Sequence, residues 1–376
     1  MDFVFVHTAD WQIGKTFGRF DDERGAVLRQ ARIDVIDRIA EAARGAGARH
    51  ILAAGDIFDS ETLKPETVAT VLGKLALHRD LTWHFIAGNH DPARAGGVWH
   101  VAAGLRPAGN IRVHLRPEPT EMEPGVFLLP ASLTAKAMSS DPTAWMDQAA
   151  TPAGTIRIGM AHGSIKGFGS LGEAKVAISP ERAETAGLAY LALGDWHGAL
   201  EINPRTWYSG TPEPDGFVDN AAGHVLIVRA TAGRAQVERA PTGRFRWIER
   251  TVEAPAADGL AALETEIAAL GPAAGALILR LRLAGATDIA GEATIAQRAE
   301  LLRRMVFALQ EDRSGLAVVV DREDCSRLDD PALASVAERL AARASEGGSA
   351  SEREVAQLAL RRLLALARAL RPERPA

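Results

Sequence analysis

Polar side chains follow several short apolar segments of this sequence, and their types are those that bind metal ions or transfer protons. The clearest case is residues 83–87, a largely apolar segment that stops at Gly88 and is followed by an amide, an imidazole and a carboxylate at residues 89–91. A protein core does not accommodate such a cluster, because each buried polar group needs a partner. Similar units end at residues 7–10, 55–59, 161–163 and 194–197. This repetition predicts a site for metal binding or proton transfer at the ends of several strands.

The candidate ligands are oxygen and nitrogen donors without a thiolate among them: Asp10, Asp56, Asn89, His162, Asp195 and His197. Such a set suits hard or borderline divalent ions, with manganese first and magnesium or iron as alternatives. Two ions that share an aspartate can clamp a phosphoryl group and activate water for attack on it. The donor set therefore predicts two divalent metal ions and hydrolysis of phosphate esters.

The elements that carry the first of these residues alternate between strands and helices. Apolar runs at residues 3–6 and 50–54 predict buried strands that lead to Asp10 and Asp56. A helix follows each strand, and the second of these helices is expected to begin at Pro65. This alternation is typical of an α/β fold with its site at the carboxyl ends of the strands.

From about residue 110 the predicted strands follow one another more closely, which indicates a second, partly antiparallel sheet. Its strands are predicted at residues 111–115, 126–129, 156–161, 190–193, 206–209 and 224–229. We expect this second sheet to pack on the first, so that the catalytic part of the chain extends over residues 1–245.

The remaining sequence predicts a small β-α-β-α-β cap module at residues 246–330 and a C-terminal helical segment at residues 331–376. The strands of the module are expected at residues 247–253, 277–283 and 317–320, and its helix faces comprise Leu260, Leu263, Ile267 and Leu270, then Ile295, Leu302, Val306 and Leu309. In the C-terminal segment, Ser351 and Glu354 form a capping-box pattern before a helix with Val355 and Leu366 on its apolar side.

Composition and charge exclude several classes of protein. The chain has 376 residues, 47% of them hydrophobic, which is enough to build a full core. A net charge of -5 argues against a general basic coat for nucleic acids, so contact with an anionic substrate must be local. One cysteine, Cys325, excludes an internal disulfide. Because no signal peptide and no membrane-spanning run follow Met1, we expect a cytoplasmic protein.

The order of these motifs resembles that of the calcineurin-like metallophosphoesterase superfamily. The matching positions are Asp10, Gly-Asp at residues 55–56, Gly-Asn-His-Asp at residues 88–91, His162 and His197. Within the superfamily the chain resembles the SbcD-type DNA repair exonucleases, through His-Thr-Ala-Asp at residues 7–10, Gly-Asp-Ile-Phe-Asp at residues 55–59 and Tyr-Ser-Gly-Thr-Pro-Glu at residues 208–213. The resemblance implies a two-sheet metallophosphoesterase sandwich flanked by helices, with a small α+β cap module and C-terminal helices.

The resemblance also implies roles for individual residues. Asp56 would bridge two metal ions, with Asp10 and His197 on one ion and Asn89, His162 and residue 195 on the other. His90 would contact the scissile phosphate and assist the leaving oxygen without binding metal. Asp91 would orient His90 by accepting its ring N–H, as carboxylates around metal sites do for histidines.

Two positions depart from the pattern of the superfamily. An Asp-x-His opening is replaced by Asp10-Trp11-Gln12, and a Gly-His-x-His block is replaced by Gly-Asp-Trp-His at residues 194–197. Gln12 can offer an amide oxygen, which is a weaker ligand than imidazole, whereas Asp195 is a competent ligand for a hard cation. We therefore expect two ions of unequal affinity, with the ion near Gln12 lost first.

The sequence is compatible with several functions and with several candidate substrate-binding residues. The leading interpretation is a two-metal DNA nuclease that works with an SbcC-type coiled-coil ATPase. A small-molecule phosphodiesterase or phosphatase is one alternative, and a degenerate non-catalytic scaffold is another. A homodimer is one assembly that the sequence allows. Candidate contacts to substrate phosphates are Lys15, Arg19 and Lys166. Trp11, Trp99 and Trp196 lie beside motif residues and either stack on bases or pack the floor of the site.

Overall fold

The structure is a computed structural model that describes residues 2–167, 175–254, 256–319, 328, 330–346 and 348–369. The chain divides into two compact units, Met1–Arg246 and Trp247–Ala376. Cys325 and residues 370–376 of the predicted C-terminal segment lie outside the described residues. Within the described part, no helix is long and apolar enough to cross a membrane.

The first unit contains two six-stranded sheets and one short strand pair. Its strands are β1 Phe3–Thr8, β2 His50–Ala53, β3 Thr82–Phe85, β4 Ile111–Val113, β5 Thr120–Glu123, β6 Val126–Ala131, β7 Ile156–His162, β8 Ser164–Ile165, β9 Ala177–Ile178, β10 Tyr190–Gly194, β11 Leu200–Asn203, β12 Thr206–Tyr208, β13 His224–Thr231 and β14 Arg234–Pro241. The first sheet has the order β14-β13-β1-β2-β3-β4, and the second has the order β11-β12-β10-β7-β6-β5. The predicted α/β class with two sheets is confirmed.

The helices of this unit are α1 Asp22–Gly45, α2 Pro65–Leu77, α3 Val98–Gly104 and α4 Arg182–Thr185, with a 3₁₀ helix at Ala144–Asp147. The N-terminus of α1 is capped because the Asp21 carboxylate accepts the Arg24 N–H at 2.8 Å. Helix α2 begins at Pro65 as predicted, where the missing N–H of proline costs no helical hydrogen bond. Both helices pack their apolar faces on the outer side of the first sheet.

One hydrophobic core lies between the two sheets, and another lies between the first sheet and its helices. Alternate residues of a strand point to opposite faces, so β1 directs Phe3 and Phe5 toward the second sheet and Val6 toward the helices. From the second sheet, Ile158 and Met160 of β7 meet this face and are fully buried. The dense packing on both sides of β1 and β2 holds the ends of these strands, and therefore the loops that follow them, in one position.

Two of the strands predicted for the second sheet belong to the first. Strand β4 pairs in parallel with β3, with Ile111 opposite Trp83, and β13 pairs antiparallel with β1, with Ala230 opposite Phe3. That part of the prediction is wrong, because strand partners are chosen by contacts between distant parts of the chain and short spacing along the sequence does not determine them.

The second unit contains the predicted order of strands and helices. Its elements are β15 Arg246–Glu253, α5 Ala257–Ala269, a 3₁₀ helix Gly271–Ala276, β16 Leu277–Thr287, α6 Ile289–Met305 and β17 Ala308–Val318, and the three strands form one sheet in the order β15-β16-β17. Leu260 and Leu302 lie in its core as expected. Leu309 was expected on the second helix, but it lies in β17 because parallel pairing with β16 begins at Ala308.

Two further helices, α7 Pro331–Glu346 and α8 Ala350–Ala369, complete this unit. The capping box of α8 is formed by Ser349 and Glu352, since the Glu352 carboxylate accepts the Ser349 N–H at 2.7 Å, and the predicted Ser351 is two residues too late. Val355 and Leu366, expected on the apolar side, are 65% and 62% exposed. Instead Leu360 and Leu364 pack with Ile289 of α6.

Candidate metal centre

Three of the predicted ligands meet where strands of both sheets end. Asp10 follows β1, Asp56 follows β2, and His162 is the last residue of β7. Their ligand atoms all lie within 4.8 Å of one another, and all three side chains are buried. In the part of the chain that the structure describes, this is the one group of three or more acidic, histidine or cysteine residues with that spacing. Parallel strands bring residues that are distant in sequence to one point in this way.

The backbone that carries the carboxylates is strained. Asp10, Asp56 and Asp195 have φ angles of 54°, 53° and 102°, in the left-handed region that residues other than glycine rarely adopt. The Asp10 N–H donates to the Gly55 carbonyl oxygen at 3.1 Å, which ties the first two loops together. A Cβ atom added at Gly88 would overlap the Asp56 carboxylate, so this position requires glycine. Such strain persists where the surrounding structure holds a functional geometry.

The His162 ring is surrounded by oxygen atoms. Its Nδ1–H donates to the Ala54 carbonyl oxygen at 2.9 Å, and its Nε2 lies 2.9 Å from Asn89 Oδ1, 3.5 Å from Asp56 Oδ1 and 4.0 Å from Asp195 Oδ1. Burial opposes a charge on this ring, but the nearby Asp56, Asp10 and Asp195 carboxylates raise the pKa of His162 well above its usual range. The oxygen atoms around Nε2 therefore form a site that favours a positively charged group.

The two buried aspartates carry opposite pKa shifts. Burial raises the pKa of Asp10 to about 6, and the nearby Asp56 charge adds to this rise. For Asp56, the opposing effect of His162 outweighs burial, and its pKa lies below the usual range. Buried carboxylates without enough positive charge are costly, so these residues fit a divalent cation by the chemistry and the spacing of their donors.

Gln12 lies at this centre and is 1% exposed. Its side-chain Nε2–H donates to Asp56 Oδ2 at 2.9 Å, and its backbone N–H donates to the Asp56 carbonyl oxygen. The amide nitrogen therefore faces the carboxylate, and the amide oxygen would have to turn inward to bind a metal. Asp195 also has a polar partner, because the Ser164 hydroxyl donates to its Oδ2 at 2.6 Å.

His197 lies beside Asp215, a residue that the sequence analysis did not single out. The His197 Nδ1 atom is 3.7 Å from Asp215 Oδ2, and the same carboxylate contacts the Lys15 ammonium and the guanidinium of the buried Arg32 at 2.8 Å. Although burial opposes its ionisation, His197, Arg32 and Lys15 hold the pKa of Asp215 well below its usual range. One signal was available, because Arg32 interrupts the apolar face of the first predicted helix.

The predicted contact between Asp91 and His90 is wrong. Both Asp91 carboxylate oxygens accept backbone N–H groups, from Gly88 at 2.6 Å and from Ile57 and Phe58 at 2.9 and 3.1 Å. A short acidic side chain at the end of a strand satisfies loop amides before it reaches a neighbouring ring. His90 instead donates its Nδ1–H to the Asp59 carbonyl oxygen at 3.1 Å, and its Nε2 lies 4.0 Å from Asp56 Oδ2.

The residues predicted to contact substrate have different surroundings in the structure. Lys15 is paired with Asp215, whereas Arg19 and Lys166 are exposed on the surface. Trp11 and Trp99 are 0% and 3% exposed and donate their indole N–H groups to the Thr8 hydroxyl and the Asp91 carbonyl oxygen, so they pack beneath the site. Trp196 differs from both, since it is 41% exposed.

One protein family matches part of this chain. Residues 3–177 match the sequence profile of the family described as calcineurin-like phosphoesterase. The matched range contains Asp10, Asp56 and His162 but ends before Asp195 and His197. A comparison with curated proteins found no match.

Two solved structures resemble the chain in fold. One is a crystal structure of TT1561 from Thermus thermophilus, with 12% sequence identity and a TM-score of 0.42 over 64% of this chain and 99% of that chain. The second has 10% identity and a TM-score of 0.43, again over 64% of this chain and 99% of that one. At this level of similarity, neither structure bears on the function of this chain.

Proposed function

We propose that this protein is a metal-dependent phosphodiesterase that cleaves DNA. The observation that carries the proposal is the convergence of Asp10, Asp56 and His162 within 4.8 Å, inside a domain of the calcineurin-like phosphoesterase kind. Metal-dependent hydrolysis of phosphate esters is the activity that this domain supports. The DNA substrate is our extension of it, based on the resemblance of residues 7–10, 55–59 and 208–213 to the SbcD-type nucleases.

The residues present suit two divalent cations, which when bound would supply Lewis-acid charge to the phosphoryl group and acidify the attacking water. Asp10, Asp56, His162 and Asn89 would hold them, with Asp195 and His197 at the rim. Manganese is the ion that we propose, since the donors mix carboxylate and imidazole.

His90 has a separate role in this proposal. Donation of its Nδ1–H to the Asp59 carbonyl oxygen fixes the ring, and in the protonated form Nε2, which lies 4.0 Å from Asp56 Oδ2, carries a second N–H. This N–H can donate to the scissile phosphate and pass a proton to the leaving oxygen. Because the His90 side chain is 47% exposed, a substrate can reach it directly.

The openness of the site supports a polymeric substrate. The side chains of His90, His197 and Asp195 are 47%, 34% and 29% exposed, whereas His162 and Asp56 below them are 0% and 2% exposed. A site with buried ligands and exposed residues around them can bind a phosphodiester within a chain as well as one at its end. Sites for small molecules usually enclose most of the ligand.

A cleavage assay with three substrates tests this proposal. We expect a single-stranded oligonucleotide and bis(p-nitrophenyl) phosphate to be hydrolysed with manganese and to be stable with chelator. Preferential hydrolysis of p-nitrophenyl phosphate would favour a phosphatase instead. If the protein binds manganese but turns over none of the three, it is a non-catalytic scaffold.

Gln12 offers a test of the unequal metal affinities. We expect Gln12→His to lower the manganese concentration for half-maximal hydrolysis by roughly tenfold, because imidazole binds borderline metals better than an amide oxygen does. Bis(p-nitrophenyl) phosphate turnover over a manganese titration measures this, with Gln30→His on the surface of α1 as the matched control. An unchanged manganese dependence would place residue 12 outside the ligand set.

We also propose, from the resemblance to SbcD-type proteins, that α7 and α8 bind an SbcC-type ATPase. Val355, Leu358 and Leu366 expose apolar surface on α8, which is the kind of helix face that coiled-coil partners use. Truncation after Asp330 is expected to abolish capture of the ATPase in a pull-down and to leave bis(p-nitrophenyl) phosphate hydrolysis unchanged. Undiminished capture together with a loss of thermal stability would show that the helices only complete the second unit.

A further inference from the structure

Trp196 occupies an unusual position in the candidate metal centre. It stands between Asp195 and His197, both predicted ligands, and 41% of it is exposed. In the described part of the chain it is the one aromatic residue among the exposed large hydrophobic side chains. Burial of a large apolar side chain such as tryptophan is favourable, and an exposed tryptophan lacks this stabilisation. Its exposure between two predicted metal ligands therefore suggests a function.

The backbone on both sides of Trp196 is fixed. The Asp195 N–H donates to Asp10 Oδ1 at 3.1 Å, and the His197 carbonyl oxygen accepts the Thr211 N–H at 3.0 Å. A Cβ atom at Gly198 would overlap Asn220, so the chain is closely packed directly after the two ligands. The backbone of Trp196 is therefore held between Asp195 and His197, and its side chain is exposed there.

We propose that Trp196 is a specificity residue that stacks on an unpaired base next to the scissile phosphate. This inference rests on the proposed function and narrows its substrate to single-stranded nucleic acid or frayed ends. Stacking on an aromatic ring tolerates any base but requires a base that is not paired within a duplex. Trp11 and Trp99 cannot serve in this way, because they are buried and their N–H groups are bonded to the protein.

The test compares two short single-stranded oligonucleotides that each contain one hydrolysable phosphodiester. In one, the neighbouring nucleotide carries thymine, and in the other it is an abasic tetrahydrofuran. We expect wild-type protein with manganese to cleave the thymine substrate with a kcat/KM roughly 5- to 100-fold higher. Trp196→Ala should remove this preference, and Trp196→Phe should keep part of it. Leu77→Ala, at the exposed end of α2, is the control and should behave as wild type.

A purely structural role gives a different result. If Trp196→Ala only disturbed Asp195 and His197, cleavage of both oligonucleotides would fall equally and the manganese dependence would shift. Equal cleavage of the two substrates by wild-type protein would also overturn the inference.

Binding provides an independent measurement if hydrolysis is absent. We expect the thymine oligonucleotide to quench tryptophan fluorescence in chelator, and the Trp196→Phe protein to lose most of this quenching. Failure of bis(p-nitrophenyl) phosphate hydrolysis with manganese would overturn the proposed function alone, whereas quenching that persists in Trp196→Phe would overturn the role of Trp196 alone.

Discussion

Replacement of Asp56 by alanine is expected to abolish hydrolysis and to remove bound metal. Asp56 Oδ1 lies 3.5 Å from His162 Nε2 and also accepts the His90 N–H, while its Oδ2 accepts the Gln12 amide. No other carboxylate contacts all three of these residues in the described part of the chain. We expect activity to fall by roughly a thousandfold or more.

Two measurements on the same protein check this expectation. Manganese retained after dialysis should fall from the wild-type content toward zero, and bis(p-nitrophenyl) phosphate turnover should fall with it. Asp80→Ala is the matched control, because Asp80 is an exposed aspartate that pairs with Arg44 and does not belong to the group of Asp10, Asp56 and His162. Full retention of manganese by the Asp56→Ala protein would show that Asp56 is not shared between ions.

His90→Ala is expected to abolish DNA cleavage while the metals stay bound. Only the backbone N–H of His90 contacts Asp56 closely, at 2.9 Å, and alanine keeps that hydrogen bond. The imidazole Nε2 is 4.0 Å from Asp56 Oδ2, and the His90 side chain is 47% exposed. Loss of a positioned acid typically costs roughly a hundred- to ten-thousandfold in rate.

The leaving group makes this second prediction more specific. p-Nitrophenolate leaves without a proton, whereas the alkoxide of a nucleotide does not, so His90→Ala should impair bis(p-nitrophenyl) phosphate hydrolysis less than DNA cleavage. The rates of the His90→Ala protein on both substrates and its manganese content test this prediction. If His90→Ala strips manganese as completely as Asp56→Ala does, the role assigned to His90 is wrong.

Much of the site could be predicted because its residues follow local rules. A buried strand that stops at a glycine and delivers a carboxylate or imidazole is visible along the chain, and parallel strands bring such ends to one edge. Asp10, Asp56 and His162 were found in this way, and the structure places them together.

Contacts between distant parts of the chain could not be predicted in the same way. Arg32 and Asp215 form an ion pair although they lie near opposite ends of the first unit's sequence. Neither residue has a local sequence pattern that predicts the other as its partner. The hydrogen bonds of Asp91 depend on where the loop amides of Ile57 and Phe58 point, which only the folded backbone determines. The partners of β4 and β13 follow from sheet pairing rather than from spacing.

The most direct test of the proposed two-metal phosphodiesterase activity is bis(p-nitrophenyl) phosphate hydrolysis by chelator-treated protein during a manganese titration. We predict no turnover without metal, recovery that saturates as manganese is added, and no recovery in the Asp56→Ala protein. Turnover that is insensitive to chelator, or an inactive wild-type protein that is saturated with manganese, would contradict the account.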